Sequence, residues 1–220
     1  MIAWLAPGDP PDSFPPVERA LREPEGLLAA GGDLSSERLV AAYRRGIFPW
    51  YSPGQPVLWW SPDPREVLFP GEFHVSRSLA RALRTRGFEY RVDADFEAVI
   101  GHCAAPRGAS PGTWITGDMR RAYVALHRLG LAHSAETWRA GRLVGGVYGV
   151  RLGRVFFGES MFSLERDASK AALAGLVRQC LEDGTEMIDC QMPSEHLRSL
   201  GSRALPRAEF IARLTAGLGP

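Results

Sequence analysis

The sequence predicts an α+β protein with a mainly antiparallel sheet, and three observations carry that reading. Residues 133–138, 143–151 and 154–162 are β-rich runs joined by tight-turn residues, Ala140 with Gly141 and then Gly153, which predicts a three-strand meander. A helical stretch follows, starting at Asp167 or Ser169, reaching about Glu182 and stopped by Gly184; it leads into a strand over 186–191. Strands, helix, strand and further helices in that order make an α+β domain. The third observation is a change of character near residue 60, so a small N-terminal domain is expected over 1–62 and a larger one over 63–220.

Each element has a local reason. Pro7, Pro10, Pro11, Pro15 and Pro16 crowd the start, so regular structure there should be short. Ser35 caps a helix over about 37–45, with Gly46 as its stop. The aromatic turn Phe48-Pro49-Trp50-Tyr51-Ser52-Pro53-Gly54 follows, then Trp59-Trp60-Ser61-Pro62-Asp63-Pro64-Arg65. Tryptophans among prolines do not sit inside a helix. Trp59 and Trp60 are expected to pack a junction, a stacking platform being the alternative. Ser76 caps the next helix, and its Arg77, Arg81 and Arg84 fall on one face at i, i+4 and i+7. That stripe is either a solvated helix face or a phosphate contact, since like charges on one stripe repel without a polyanion. Helices over about 95–103 and 118–129 come next, separated by a Gly- and Pro-rich loop that leads to Gly112-Thr113-Trp114-Ile115-Thr116. After the strand at 186–191, a short helix is expected over 194–200 and a last one over about 207–214.

The totals exclude several classes. With 45% hydrophobic residues in 220, a sizeable core can form. No apolar run approaches the ~18 residues of a membrane span, and the start lacks the basic-then-apolar order of a signal peptide. Cys103, Cys180 and Cys190 are odd in number and far apart, which fits a reducing cytoplasm rather than a disulfide framework. No CxxC or HExxH string occurs, and the adjacent His102 and Cys103 read as structural, so neither a metal nor a cofactor is expected. The net charge of +1 rules out a global basic field; Lys170 is the only lysine, so local arginine clusters matter more than the sum.

Two strings concentrate chemistry. Phe156-Phe157-Gly158-Glu159-Ser160-Met161-Phe162-Ser163 places one carboxylate, Glu159, in an apolar run whose burial demands a partner. Glu159 either meets a cation or is a strand-end Glu held by backbone amides or an Arg. Met187-Ile188-Asp189-Cys190-Gln191 reads as a strand in which Asp189 and Gln191 share one face, and Ile188 and Cys190 the other.

The chain resembles the bacterial leucyl/phenylalanyl-tRNA–protein transferases over nearly all its length. The strings that carry the likeness are Leu27-Leu28-Ala29 with Gly31-Gly32-Asp33-Leu34-Ser35, Arg45-Gly46-Ile47-Phe48-Pro49-Trp50, residues 59–65, 112–116 and 158–163, and Ile188-Asp189-Cys190-Gln191. Each is weak alone; six in one order are specific. The resemblance implies a GCN5-type acetyltransferase-like fold for the larger, catalytic domain. It also implies transfer of Leu, Phe or, less well, Met from aminoacyl-tRNA to the α-amino group of proteins beginning with Arg or Lys, marking them for degradation. Gln191 then contacts the attacking amine, Asp189 orients it or relays through it, and Glu159 attracts the acceptor's cationic end. Val147, Phe156, Leu176 and Ile188 match the acyl pocket, each being otherwise an ordinary core residue. The residues at 147 and 176 are smaller than in many members, which leaves the Leu-versus-Phe preference open. Trp50, Trp114 and Tyr123 match the aromatic faces for the tRNA 3′-adenosine, where stacking is worth about 1–3 kcal/mol per base. Arg77, Arg81 and Arg84 match the cluster for the tRNA body.

The residues agree with this chemistry independently. An aminoacyl ester is already activated, so aminolysis requires no ATP, and the sequence has no phosphate-cradling Gly loop. A free α-amino group has a pKa near 8, so it must lose a proton to attack. A coenzyme A-dependent acyltransferase would need a pyrophosphate loop; the nearest string, Arg142-Leu143-Val144-Gly145-Gly146-Val147, fails at its last position. A non-catalytic module binding protein N-termini or RNA would leave Asp189 and Gln191 unexplained. Strand parity adds one expectation: Phe156 and Glu159, three apart, face opposite sides of a regular strand. If both serve one site, a β-bulge or splay is required at or beside Gly158.

Overall fold

The computed structural model describes residues 2–106 and 113–219. Gly112, and most of the expected Gly- and Pro-rich loop before it, lie outside the described residues. In chain order the elements are β1 (Ala3–Leu5), β2 (Leu27–Gly31), α1 (Ser36–Arg44), β3 (Phe48–Pro49), β4 (Leu58–Trp60), β5 (Arg65–Leu68), α2 (Arg77–Thr85), β6 (Glu89–Val92), α3 (Phe96–Ala104), α4 (Gly117–Arg128), β7 (Ala132–Arg139), β8 (Arg142–Leu152), β9 (Val155–Ser163), α5 (Ala168–Glu182), β10 (Met187–Gln191), α6 (Glu195–Arg198), β11 (Arg203–Leu205) and α7 (Arg207–Leu218).

Among the described residues these form two sheets. The smaller has the order β1-β2-β4-β3, and the larger β11-β5-β10-β9-β8-β7-β6. Pairing is antiparallel except between β1 and β2 and between β10 and β9. The expected α+β class with a mainly antiparallel sheet is therefore what forms. The meander 7-8-9 falls within a residue or so of its expected bounds. Ser35, Ser76, Asp95 and Thr116 each cap a helix by accepting a hydrogen bond from the main chain, the usual way to satisfy an otherwise orphaned N–H. Asp167 occupies the cap position of α5 in a left-handed conformation, and its carboxylate makes no cap bond; it faces Arg86 and Arg166 instead.

Sequence reading missed the short strands. The proline-rich start does hold only short pieces, yet four of them pair into a sheet of their own. Trp59 and Trp60 lie on β4. Trp59 is fully buried, donates its indole N–H to the Gly31 carbonyl and stands edge-on to Phe14, contacts that lie within the small sheet's own part of the chain. The last helix runs to Leu218, four residues past its expected end.

The large sheet separates two apolar cores, and the pleat sorts side chains between them. Tyr148, Val150, Val155 and Phe157 point to one core, shared with α1, α3, α4, α7 and the small sheet. Val147, Phe156 and Ile188 point to the other, under α5. Tight contact of α5 with the sheet depends on Gly175, because a Cβ there would sit 2.0 Å from the Tyr90 ring.

Candidate active site

Strands β9 and β10 pair in parallel only from Met187 with Val155 to Asp189 with Phe157, and then part. The opening between them is where the chemistry collects. The register of β8 against β9 slips there, with Tyr148 opposite Ser160 and Gly149 opposite Gly158, so Glu159 is the extra residue of a β-bulge. The parity argument thus lands where expected, beside Gly158. The bulge leaves Glu159 on the Phe157 side of the sheet, at the gap, from which it borders the cleft beyond.

Glu159 is 8% exposed and has three hydrogen-bond donors. Tyr43 on α1 donates to Oε1 at 2.7 Å, Gln191 Nε2 donates to the same oxygen at 2.8 Å, and Tyr123 on α4 donates to Oε2 at 2.8 Å. Burial drives its pKa up, the three donors pull it back, and the nearby Asp189 adds to the rise, so it stands at about 7. The phenols of Tyr43, Tyr123 and Tyr148 are pushed well above their ordinary range, first by burial and next by the Glu159 charge. They remain protonated and can donate. The partner that a buried carboxylate demands is therefore a cage of hydroxyls and an amide.

Tyr123 needs a correction. It is fully buried, its ring stands edge-on to Tyr148, and its hydroxyl is spent on Glu159. It offers no face to an adenine. Trp50 does, being 41% exposed and backed by Trp60, whose indole N–H donates to the Trp50 carbonyl. Trp114 is half-buried against the core.

Asp189 needs a second correction. The register of β10 against β5 slips between Asp189, opposite Val67, and Gln191, opposite Glu66. Gln191 itself has φ +63°, in the left-handed region. The two residues therefore do not share a strand face. Asp189 is fully buried and gripped in bidentate fashion by Arg65, Nε to Oδ1 at 2.8 Å and Nη2 to Oδ2 at 2.7 Å. The Arg65 guanidinium also lies over the rings of Phe48 and Phe210, 4.7 Å from each centroid. Asp189 touches Gln191 only by accepting its main-chain N–H, at 2.9 Å. That bond holds the backbone turn from which the Gln191 amide reaches Glu159.

Glu159 and Gln191 border a cleft of about 210 Å³ whose other walls include Val147, Met161, Leu176, Ile188 and Leu197. Three of the four residues expected in an acyl pocket meet here. Phe156 does not line it: its ring tucks beneath Gly149, where a Cβ would lie 2.6 Å from Phe156 Cε1, and it borders a separate small cavity with Gln179 and Cys180. A regular pleat up to Gly158 keeps Phe156 in the core under α5. Gly158, by contrast, lines the cleft.

The arginine stripe is exposed along α2. Arg77 and Arg81 line a shallow groove with Arg86, Arg166 and Asp167, and Arg84 lies off it. Among the described residues none of Arg77, Arg81 and Arg84 forms an ion pair. His102 stacks on Phe162, consistent with a structural role. No three His, Cys, Asp or Glu side chains among the described residues are grouped to hold a metal ion, and no helix among them is long and apolar enough to cross a membrane. The string 142–147 lies on β8 rather than in a loop at a helix start. Tyr43 and Arg65 escaped the sequence reading as site residues; Arg65 lies in a motif string, and Tyr43 had no local signal beyond the apolar face of its helix.

Comparison with known proteins agrees over most of the chain. The family described as "Leucyl/phenylalanyl-tRNA protein transferase" matches residues 67–215, and "Leucyl/phenylalanyl-tRNA protein transferase N-terminal domain" matches residues 32–63. Proteins named leucyl/phenylalanyl-tRNA--protein transferase are similar along nearly their whole length. That of Pseudomonas entomophila is 58% identical over 218 residues, 99% of this chain and 96% of the relative. That of Pseudomonas aeruginosa is 59% identical over 210 residues, 96% and 92% of the two chains. That of Azotobacter vinelandii is 61% identical over 198 residues, 90% and 88%. Among solved structures, a GCN5-related N-acetyltransferase from Kribbella flavida superposes with a TM-score of 0.42 at 15% identity, covering 76% of this chain and 59% of that one.

Proposed function

The chain belongs to the leucyl/phenylalanyl-tRNA–protein transferase family, and from that premise we propose that it moves Leu, Phe and, less well, Met from aminoacyl-tRNA onto the α-amino group of proteins that begin with Arg or Lys. The product exposes a residue that marks it for degradation in the cytoplasm. The two family matches meet between residues 63 and 67, which supports a division into a small domain over 1–62 and a catalytic domain over 63–220.

One observation carries the reading: a carboxylate with a pKa of about 7 lines an apolar cleft, hydrogen-bonded to the Gln191 amide group that lines the same cleft. In the step proposed, the acceptor's α-amine, deprotonated, attacks the ester carbonyl carbon. The C–N bond forms and the bond from that carbon to the ribose oxygen breaks. Gln191 Oε1 accepts one amine N–H while its Nε2 stays on Glu159. The proton lost by nitrogen passes to Glu159 and then to the leaving ribose oxygen. A base with a pKa near the working pH suits both halves of that transfer. Asp189, locked by Arg65, serves by placing Gln191. Val147, Leu176 and Ile188 take the donor's side chain, with Met161 and Leu197 completing the walls. Trp50 and Trp114 take the terminal adenosine, and the α2 stripe takes phosphates of the tRNA body.

The test is to mix the protein with leucyl-tRNA and a peptide beginning with Arg, without coenzyme A, and to follow the peptide by mass spectrometry. A gain of one leucyl residue at the N-terminus is expected. No product, or product only with an acyl-coenzyme A, overturns the reading.

A further inference from the structure

The two tyrosines that cage Glu159 also touch each other. Tyr43 stands 2.7 Å from Oε1, Tyr123 stands 2.8 Å from Oε2, and the two hydroxyl oxygens are 2.5 Å apart, the shortest contact of the three. Both tyrosines are fully buried, so the carboxyl group and the two hydroxyls close a dry ring. Oxygens at these separations need a hydrogen between them, because facing lone pairs repel strongly in a dry interior. Each phenol brings one hydrogen. An ionised Glu159 therefore leaves two hydrogens for three contacts. Counted singly, as donors to a carboxylate, the hydroxyls lower the Glu159 pKa; counted together, they cannot both donate to it and also fill the contact between them. A third hydrogen, on the carboxyl group, completes the ring.

Gln191 favours one sense for that ring. Its Nε2 donates to Oε1 at 2.8 Å, so Oε1 already acts as an acceptor and the third hydrogen belongs on Oε2. Oε2 then donates to Tyr123, Tyr123 to Tyr43, and Tyr43 to Oε1, and every contact is filled. The surroundings also favour this neutral form. Burial is the largest influence on Glu159, and the charge of Asp189 on β10 adds to it. The Arg65 cation on β5 is spent on Asp189. Tyr148 on β8 is a neutral phenol, kept so by burial, by the Glu159 charge and by Cys103 on α3. Its buried hydroxyl has no hydrogen-bond partner among the described residues, so it lends the ring no hydrogen.

We infer that Tyr43 and Tyr123 are positioning residues for the proton step: with Glu159 they form a ring that holds one hydrogen more than the ionised site brings, and the acceptor's amine supplies it. The inference rests on the transfer reaction proposed above and deepens the part of Glu159 in it. While Glu159 is ionised, one contact of the ring is vacant. When the attacking amine gives up its proton, an N–H bond breaks, an O–H bond forms on Glu159, and the ring closes. The proton waits there until the ribose oxygen leaves and takes it, which reopens the vacancy. The ring thus returns to its starting state after each transfer, and no other acid or base enters the cycle.

The experiment follows kcat/KM for transfer to an arginine peptide across the pH limb at about 7, in the wild type, Tyr43→Phe and Tyr123→Phe. Loss of either hydroxyl removes the gain from closing the ring, so the limb should move down by about one pH unit, the worth of one hydrogen bond. Hydroxyls that only donate to a carboxylate favour its charged form, and losing one would move the limb up. A limb that rises or stays in place overturns the inference and leaves the transfer reaction standing. A second measurement needs no variant: crystal structures of the wild type at pH 6 and pH 8.5. All three contacts should be within hydrogen-bond length at the lower pH, and one should open past about 3.2 Å at the higher. Three contacts unchanged at the higher pH overturn the inference, even if both variants fail to fold. Absence of transfer by the wild type overturns the underlying reaction, and with it the ring's part in it.

Discussion

Replacing Asp189 with alanine should unsettle the fold and the site together, and the two effects can be separated. Asp189 and Arg65 are both 0% exposed and joined by two charge-assisted hydrogen bonds. Removing one partner leaves the other charge buried and unpaired, which costs about 3–5 kcal/mol. For a chain of this size each kcal/mol moves the melting temperature by about 2–4 °C, so a fall of roughly 6–20 °C is expected. The double variant Arg65→Met with Asp189→Ala removes both charges and puts a flexible thioether between the Phe48 and Phe210 rings. It should recover more than half of the lost stability. Transfer should stay low in both variants, because the Gln191 main-chain N–H has lost its acceptor either way. The assays are thermal unfolding and steady-state transfer to an arginine peptide. A single variant that melts within a degree or two of wild type would refute the argument from the buried pair. A double variant that regains transfer along with stability would refute the positioning role of Asp189.

Five further outcomes are expected. Transfer should rise with pH through about 7 as Glu159 deprotonates, and Glu159→Gln should abolish that limb while leaving the acceptor amine's own limb near 8. Because Glu159 is raised in the fold, its contribution to stability is full below the ordinary carboxyl pKa and fades as pH rises through about 7; unfolding at pH 5 and pH 8 should differ less in Glu159→Gln than in wild type. Charge reversal at Arg77, Arg81 and Arg84 should raise KM for charged tRNA, more so with salt, and spare a minimal aminoacyl-adenosine donor; equal loss with both donors would make the stripe structural. Val147→Met should shift donor choice from Phe toward Leu by a modest factor, since a methylene is worth about 1–3 kcal/mol in such a pocket; an unchanged ratio removes Val147 from the pocket. Gly158→Val should harm transfer more than folding, because a Cβ at 158 meets its nearest atom at an ordinary 3.4 Å while the residue borders the cleft; a melting temperature that falls in step with activity would contradict this.

What could be read from the sequence was what is local. The meander, α5 and β10 each announce themselves through periodicity and turn residues. The bulge beside Gly158 was expected from parity, but its premise half failed: Glu159 borders the cleft and Phe156 stays in the core under α5. Parity failed at Asp189 and Gln191 because a second bulge, at Cys190, carries no composition signal, and the partner that holds Asp189 beside it is an arginine 124 residues away. Tyr43 reaches Glu159 across 116 positions, and no pattern within α1 separates a hydroxyl that cages a carboxylate from one that faces solvent. Tyr123 was marked by the resemblance for an adenine face, and neither its burial nor its bond to Glu159 was legible in the sequence. The four strands of the small sheet, two to five residues long, are too short for periodicity to declare.

The sandwich around Arg65 sets a schedule. One ring, Phe48, comes from the early part of the chain and the other, Phe210, from α7. A nascent chain that has delivered Glu159, Gln191 and both caging tyrosines still lacks one wall of the clamp holding Asp189, and with it the support for the Gln191 turn. The clamp on Arg65, and with it the support for the Gln191 turn, is thus completed only when α7 docks.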